Sequence, residues 1–170
     1  MSKRIYLTGK NGEGKITIVD DCDYEELNQW KWYLNKDGYV WRSYKKDNSW
    51  KQIRIHREIL GLTDTKVFTD HINHDKLDNR RENLRACTNQ ENQRNSKKQQ
   101  KNIYGKKCSS KYKGVCWKKS RNKWVAFIKI DNKLINLGTF ISEIEAAKTY
   151  DTKAKELFKE FACINFQENK

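Results

Sequence analysis

The sequence predicts an α+β protein built from two small modules. Three observations carry that reading. Strand-length stretches with period-two alternation recur along the chain, as in Trp50 to His56. Between them stand a few helical patterns, of which two open on a capping box. A polar, lysine-rich stretch then separates a first block of elements from a second. At 170 residues the chain has room for one ordinary domain or two small ones.

In order, the first elements are strands over Lys15–Val19, Gly38–Tyr44 and Trp50–His56. A short helix is expected over Asp23–Trp32, where Leu27 and Trp30 share a face and acidic residues fill the first turn. Trp30, Trp32, Trp41 and Trp50 are expected to form the core of this β-rich part, residues 1–61. From 62 to 100 the pattern reads strand (Val67–Ile72), turn-rich loop (Asn73–Asn79), strand (Leu84–Cys87) and helix (Asn89–Lys98). Thr88 and Glu91 form the capping box that starts this helix. Residues 101–110 read as a basic linker, and 111–170 as the second module. There, strands over Gly114–Lys118, Lys123–Ile130 and Lys133–Phe140 are followed by a helix opened by Ser142 and Glu145. Asp131-Asn132 is a tight hairpin turn. Ile144, Ala147, Tyr150, Ala154, Leu157 and Phe158 form the apolar stripe that lays this helix on a three-stranded antiparallel sheet.

Charge says what such a chain meets. Lys and Arg number 36 against 22 Asp and Glu, a net of +14. Between Asn92 and Ile130 stand 13 basic residues and no acidic one, while the rest of the chain is nearly balanced. A one-signed block points to a polyanion, nucleic acid first and an anionic membrane second. The block lacks the amphipathic basic helix a membrane surface requires. No apolar run reaches the ~18 residues of a membrane span, and no signal-peptide core follows Met1. The five cysteines are widely spaced without a C-x-x-C pair, which fits the reducing cytoplasm rather than a disulfide or zinc framework.

Between these features lies a chemical constellation. Asp70 and His71 end one strand, Asn83 precedes the next, and Asn92 lies in the first turns of the helix. A strand–turn–strand–helix brings a strand end against the helix start, so Asp70 and Asn92 converge as oxygen donors beside His71. Oxygen ligands suit a hard cation such as Mg²⁺. A neutral imidazole takes a proton from water near neutral pH. Asn83 is assigned to hold the turn. Arg80, Arg81 and Arg85 flank the site as candidate phosphate clamps, and Arg94, Lys97, Lys98 and Arg121 belong to the basic track. His74 is read as a surface turn residue and His56 as a structural residue or phosphate contact.

The run from Asp70-His71 through Asn79-Arg80 and Asn83-Leu84-Arg85 to Asn92 resembles the HNH endonuclease family, most closely its phage and intron-encoded branch. Ile55-His-Arg-Glu-Ile59 resembles the same branch. The resemblance implies a ββα-metal fold, with His71 as general base, Asp70 and Asn92 as metal ligands and Asn83 orienting the loop. The family often has His where this chain has Asn92; Asn favours Mg²⁺ or Mn²⁺ over zinc.

The second module is similar to the APETALA2/ethylene-response-factor DNA-binding domain, from Lys111-Tyr-Lys-Gly-Val-Cys-Trp117 to Ala162-Cys-Ile-Asn-Phe166. That family lays a sheet face on DNA, which here implies Lys113, Cys116, Lys118, Phe127, Lys129, Leu134 and Asn136 as contacts. Plant members carry several Arg there; Lys and apolar residues in their place favour phosphate and thymine-methyl contacts over guanine readout. Val115, Trp117, Trp124, Ala126, Ile128 and Ile130 alternate onto the helix-facing side.

The expectation is therefore a metal-dependent endonuclease of homing or phage mobile-element type, acting on double-stranded DNA in the host cytoplasm. It is expected as a monomer with no small-molecule substrate and no membrane association. The alternative is a catalytically silent DNA-binding regulator.

Overall fold

The computed structural model describes residues 1–100 and 108–167, and it divides into two compact units, Met1–Asn92 and Gln93–Lys170. Most of the 101–110 linker therefore lies outside the described residues. The architecture is α+β, with four small antiparallel sheets. Among the described residues no helix is long and apolar enough to cross a membrane.

In the first unit, β1 (Ser2–Tyr6) pairs with β2 (Ile16–Asp20) and runs into α1 (Asp21–Leu27). Strand β1 left little trace in the sequence, because only Ile5 of its residues is buried. A second sheet joins β3 (Tyr33–Leu34), β4 (Val40–Lys46) and β5 (Ser49–Arg54). Asp47 and Asn48 turn β4 into β5 with φ of 51° and 57°, the paired left-handed geometry that short polar side chains tolerate. The strand expected to reach His56 ends at Arg54, where α2 (Ile55–Ile59) begins. Ile55, His56 and Ile59 are all buried, and adjacent positions join a partner four residues on at one buried face in a helix but not in a strand.

That core gathers Ile5, Leu7, Val19, Leu27, Trp32, Leu34, Val40, Ile55, Ile59 and Leu84. Burial of each large apolar side chain contributes about 1.5–3 kcal/mol, so this cluster dominates the unit's stability. Of the four tryptophans expected there, only Trp32 is fully buried, with its indole N–H donating to Leu27 O at 2.8 Å. Trp30 and Trp50 are 47% and 74% exposed, and Trp41 is half-buried. Trp41 points away from this core because its strand neighbour Val40 takes the inward position.

The unit closes with the hairpin of β6 (Phe68–His71) and β7 (Leu84–Cys87), followed by α3 (Asn89–Asn95), which crosses the boundary between the units. The capping box forms: Glu91 N–H donates to Thr88 Oγ1 at 3.2 Å, and Thr88 N–H donates to Glu91 Oε2 at 2.8 Å. The helix stops short of the expected Lys98. The Lys113 ammonium receives its end, donating to Arg94 O and Ser96 O at 2.6 Å each.

In the second unit β8 (Val115–Lys118), β9 (Lys123–Ile130) and β10 (Lys133–Phe140) form an antiparallel sheet with β9 central, and α4 (Glu143–Phe158) packs on it. Asp131 and Asn132 turn the β9–β10 hairpin with positive φ, as their sequence implied. Val115, Ala126, Ile128, Ala146, Ala147, Tyr150, Ala154 and Phe158 are the buried residues of its two apolar clusters. Buried Asp151 ties down the C-terminal segment, accepting from the Asn165 and Phe166 amides at 2.8 and 2.9 Å.

Gly114 sits at φ +73°, and a Cβ there would fall 2.0 Å from the Tyr150 ring. Gly61, at φ +62°, has nothing within 4 Å of the same position. Gly114→Ala is expected to cost about 2–4 kcal/mol, combining overpacking with left-handed strain, whereas Gly61→Ala costs about 1–2 kcal/mol from strain alone. Denaturant unfolding followed by tryptophan fluorescence compares them; equal losses would refute the Tyr150 clash.

Candidate active site

The β6–β7 hairpin sets the register of the site, pairing Asp70 with Arg85 and His71 with Leu84. Asp70, His71, Asn79 and Asn83 are all buried. Burial is affordable because their polar atoms are partnered by the loop between the strands, by Arg85 on β7 and by Thr17 on β2. Asn83 grips that loop from both sides: its Oδ1 accepts from the Asn73 amide at 2.9 Å and its Nδ2 donates to Asp78 O at 2.7 Å. Ile72 N–H also donates to Asn83 O at 2.9 Å. Asp78 receives Arg80 Nε and a terminal guanidinium nitrogen at 2.8 Å each, which hold its carboxyl below the usual carboxylate range.

The orientation of His71 is decided by Asn79, which the sequence reading passed over. Asn79 is fully buried, and its Oδ1 lies 3.2 Å from His71 Nε2. Its Nδ2 lies 2.8 Å from Thr17 Oγ1 and 3.1 Å from Lys76 O. A backbone carbonyl only accepts, and the Thr17 hydroxyl already donates to Leu77 O at 2.8 Å. The amide nitrogen must therefore face these two groups and the amide oxygen must face the imidazole. It follows that Nε2 carries the proton and Nδ1 the lone pair. Burial lowers the His71 pKa, an effect larger than the opposing pull of Asn79 and Asp70, so the ring is neutral at pH 7.

His56 stands beside it, the ring centroids 5.2 Å apart and edge-on, with Tyr39 at 5.5 Å from His56 and 6.1 Å from His71. His56 is buried, and its Nδ1 has no hydrogen-bond partner among the described residues. Burial first, then His71, Arg54 and Arg57, push its pKa down to about 3. It lies in the first turn of α2 rather than on a strand end.

Asp70 Oδ2 accepts from Arg85 Nε at 2.9 Å and from a terminal guanidinium nitrogen at 2.6 Å. Burial pushes the Cys87 pKa up to about 11, with the Asp70 carboxylate adding to the shift and the Asn92 backbone opposing it. No group of three or more His, Cys, Asp or Glu able to hold a metal exists among the described residues. A four-ligand zinc centre does not fit such a donor set. A hard cation that takes one or two protein oxygens and keeps its waters does.

The remaining candidates divide by what their heads touch. Arg80 pairs with Asp78 and Glu82, Arg81 with Asp23 at 2.6 Å, and Arg85 with Asp70. Arg94 lies over the Phe158 ring at 4.7 Å, and Lys98 Nζ reaches Val115 O at 3.4 Å. Lys113 is spent on the end of α3, and burial lowers its pKa. Lys97, Lys118, Arg121 and Lys129 are exposed, while Cys116 and Phe127 are half-buried. Asn136 is exposed, but its Oδ1 accepts from the Gly138 amide at 2.9 Å.

Residues 50–94 match the family model described as HNH endonuclease, and residues 110–160 match that of the AP2 domain. An uncharacterized HNH endonuclease of Acanthamoeba polyphaga mimivirus is 33% identical over 159 residues, 91% of this chain and 76% of the relative. No solved structure matches the chain.

The His56 environment gives a pH dependence. Its folded pKa of about 3 lies below the ordinary 6.5, so the unfolded chain binds the proton more readily. Its contribution to stability is fully present above pH 6.5 and is lost as the pH falls toward 3. The loss between pH 7 and pH 5 is on the order of 2 kcal/mol. His56→Phe is expected to flatten this slope in thermal melts across that range. An unchanged slope would show that His56 is not buried neutral.

Proposed function

The chain belongs to the HNH endonuclease family, and on that premise we propose that it hydrolyses DNA phosphodiester bonds at the β6–β7 hairpin with His71 as general base. A single observation carries the reading: the Asn79 amide holds a buried, neutral imidazole with its proton on Nε2. Nδ1 takes the proton from a water as that water's oxygen bonds to phosphorus. The P–O3′ bond breaks as the 3′ oxygen takes a proton from a solvent water, leaving a 5′ phosphate and a 3′ hydroxyl, and His71 returns its proton to solvent. Asn83 keeps the loop beneath the ring in place, tying Asn73 to Asp78. Asp70 and Asn92 are the residues that would hold Mg²⁺ or Mn²⁺, which when bound supplies positive charge to the scissile phosphate and the leaving 3′ oxygen. Arg85 fixes the Asp70 carboxylate through a paired contact on one oxygen.

HNH and AP2 matches on one chain support double-stranded DNA as the substrate and the following division of labour. Residues 1–100 form the nuclease, 101–110 join the parts, and 111–170 hold DNA. In the second part the exposed cations Lys118, Arg121 and Lys129 supply phosphate contacts, and Cys116, Phe127 and Asn136 lie at the family's contact positions. Lys97 extends the track, with Arg94 and Lys98 beside it. Arg80 and Arg81 are set to meet phosphate from the loop, each steadied by its own carboxylate. We read the chain as a monomeric homing-type or phage mobile-element nuclease of a reducing host cytoplasm, which suits cysteines that form no disulfide among the described residues.

Plasmid nicking in Mg²⁺ tests this. His71→Ala is expected to lower the rate about 10²–10⁴-fold, and chelation of the metal to abolish cutting while DNA binding survives. Asn79→Ala should lower kcat about 10–100-fold with KM for DNA nearly unchanged. Equal cutting by wild type and His71→Ala would sink the base assignment. DNA binding without cutting by wild type, across metals and DNAs, would make the chain a silent regulator.

A further inference from the structure

Two of the tryptophans that the first unit leaves out of its core, Trp41 and Trp50, share one sheet face. Tyr33 pairs with Trp41, Trp41 with Arg54, Ser43 with Gln52, and Lys45 with Trp50. Residues paired across antiparallel strands project to the same side, and alternate pairs share it. This face therefore presents Tyr33, Trp41, Ser43, Lys45, Trp50, Gln52 and Arg54, with three aromatic rings and two cations and no carboxylate. A groove of about 650 Å³ opens along it, lined by Trp30, Lys31, Tyr33, Trp41, Arg42, Ser43 and Trp50.

The rings are held ready. Tyr33 and Trp41 lie with centroids 5.8 Å apart. Arg42 stacks on Trp30 at 4.4 Å and is fixed from below by Glu58 at 2.5 and 3.1 Å. Trp50, 74% exposed, stands opposite Lys45. Solvating so much aromatic surface is costly, and a stable sheet edge does not need it.

The chemistry selects the occupant. Rings with arginine also occur at protein interfaces, and what selects a polyanion here is a face with cations and no carboxylate. Flat rings beside ammonium and guanidinium groups match nucleobases joined by phosphates. The charge agrees: Lys45 and Arg54 lie on this face, Lys31 lines the groove, and the one acidic residue from Val40 to Arg54, Asp47, stands in the turn. In a duplex the base faces are covered by their neighbours, so rings gain stacking only from unpaired bases.

We propose that this face is a stacking platform for single-stranded DNA, with bases laid on Trp50, Trp41 and Tyr33 and phosphates met by Lys31 and Lys45. It is separate from the hairpin chemistry and from the AP2 match. It gives the enzyme a grip on DNA that is frayed, nicked or displaced from its complement.

The test is equilibrium binding by the full chain, without divalent metal, of fluorescein-labelled (dT)12 and of a duplex of equal length. Trp50→Ala is expected to weaken the single strand about 5–100-fold and the duplex less than about twofold. Trp50→Tyr should retain most of the affinity, since a phenol ring still stacks. Unchanged (dT)12 binding by Trp50→Ala would overturn the proposal, as would equal weakening on both DNAs. So would a concentration-dependent mass in sedimentation that Trp50→Ala abolishes, which would assign the face to a second copy of the chain. Plasmid nicking by Trp50→Ala, measured alongside, keeps this outcome apart from the assignment of His71.

Discussion

The hydrogen bond between Asn79 and His71 is the contact on which the rest of the site depends, and its direction is inherited from elsewhere in the fold. Ile18 N–H donates to Leu77 O and Asn79 N–H donates to Ile18 O, both at 2.8 Å, so the loop is stitched to β2 as a short parallel bridge. That stitch places the Thr17 hydroxyl beneath the Asn79 amide. Strand β2 is in turn held by β1, and its Val19 lies in the main core. A side chain 54 positions before His71 in the sequence thus helps fix which imidazole nitrogen carries the proton. The segment matched as HNH endonuclease begins only at residue 50. The β-rich part before it is accordingly a component of the site's electrostatics. Losing one partner from such a buried polar chain costs about 1–3 kcal/mol, and here it would also free the ring to take the other tautomer.

How far the sequence could be read follows from where each signal is local. Capping boxes, hairpin turns and period-two strands are local, and β7, β9, β10 and the start of α3 follow them closely. The constellation of Asp70, His71 and Asn83 was visible because its spacing is that of one hairpin. Asn79 stands in the same run, but nothing local states that it faces His71 rather than solvent. The tryptophans failed for the opposite reason. Composition makes an aromatic residue a core candidate, but only the sheet's pairing reveals that Trp41 and Trp50 share its outer face. The strand drawn through His56 failed because alternation over Trp50–His56 fits both a strand and the first turn of a helix whose burial is set by distant residues.

The net charge of +14 becomes more selective once its heads are placed. Arg80, Arg81 and Arg85 are balanced by carboxylates of their own unit, and Lys113 closes the end of a helix. These cations are structural first, and any pull they exert on DNA is reduced by the partner already in place. The exposed set is smaller, Lys97, Lys118, Arg121 and Lys129 in the second unit among them. The nearly balanced remainder of the chain hides a second cationic stretch, the β4–β5 hairpin, because the acidic residues of α1 and the 62–92 segment cancel it in the sum. A charge count along the sequence averages over faces that never meet. A sheet face with aromatic rings and cations but no carboxylate is a stronger statement about nucleic acid than the total, since it specifies both the phosphate and the base that the phosphate carries.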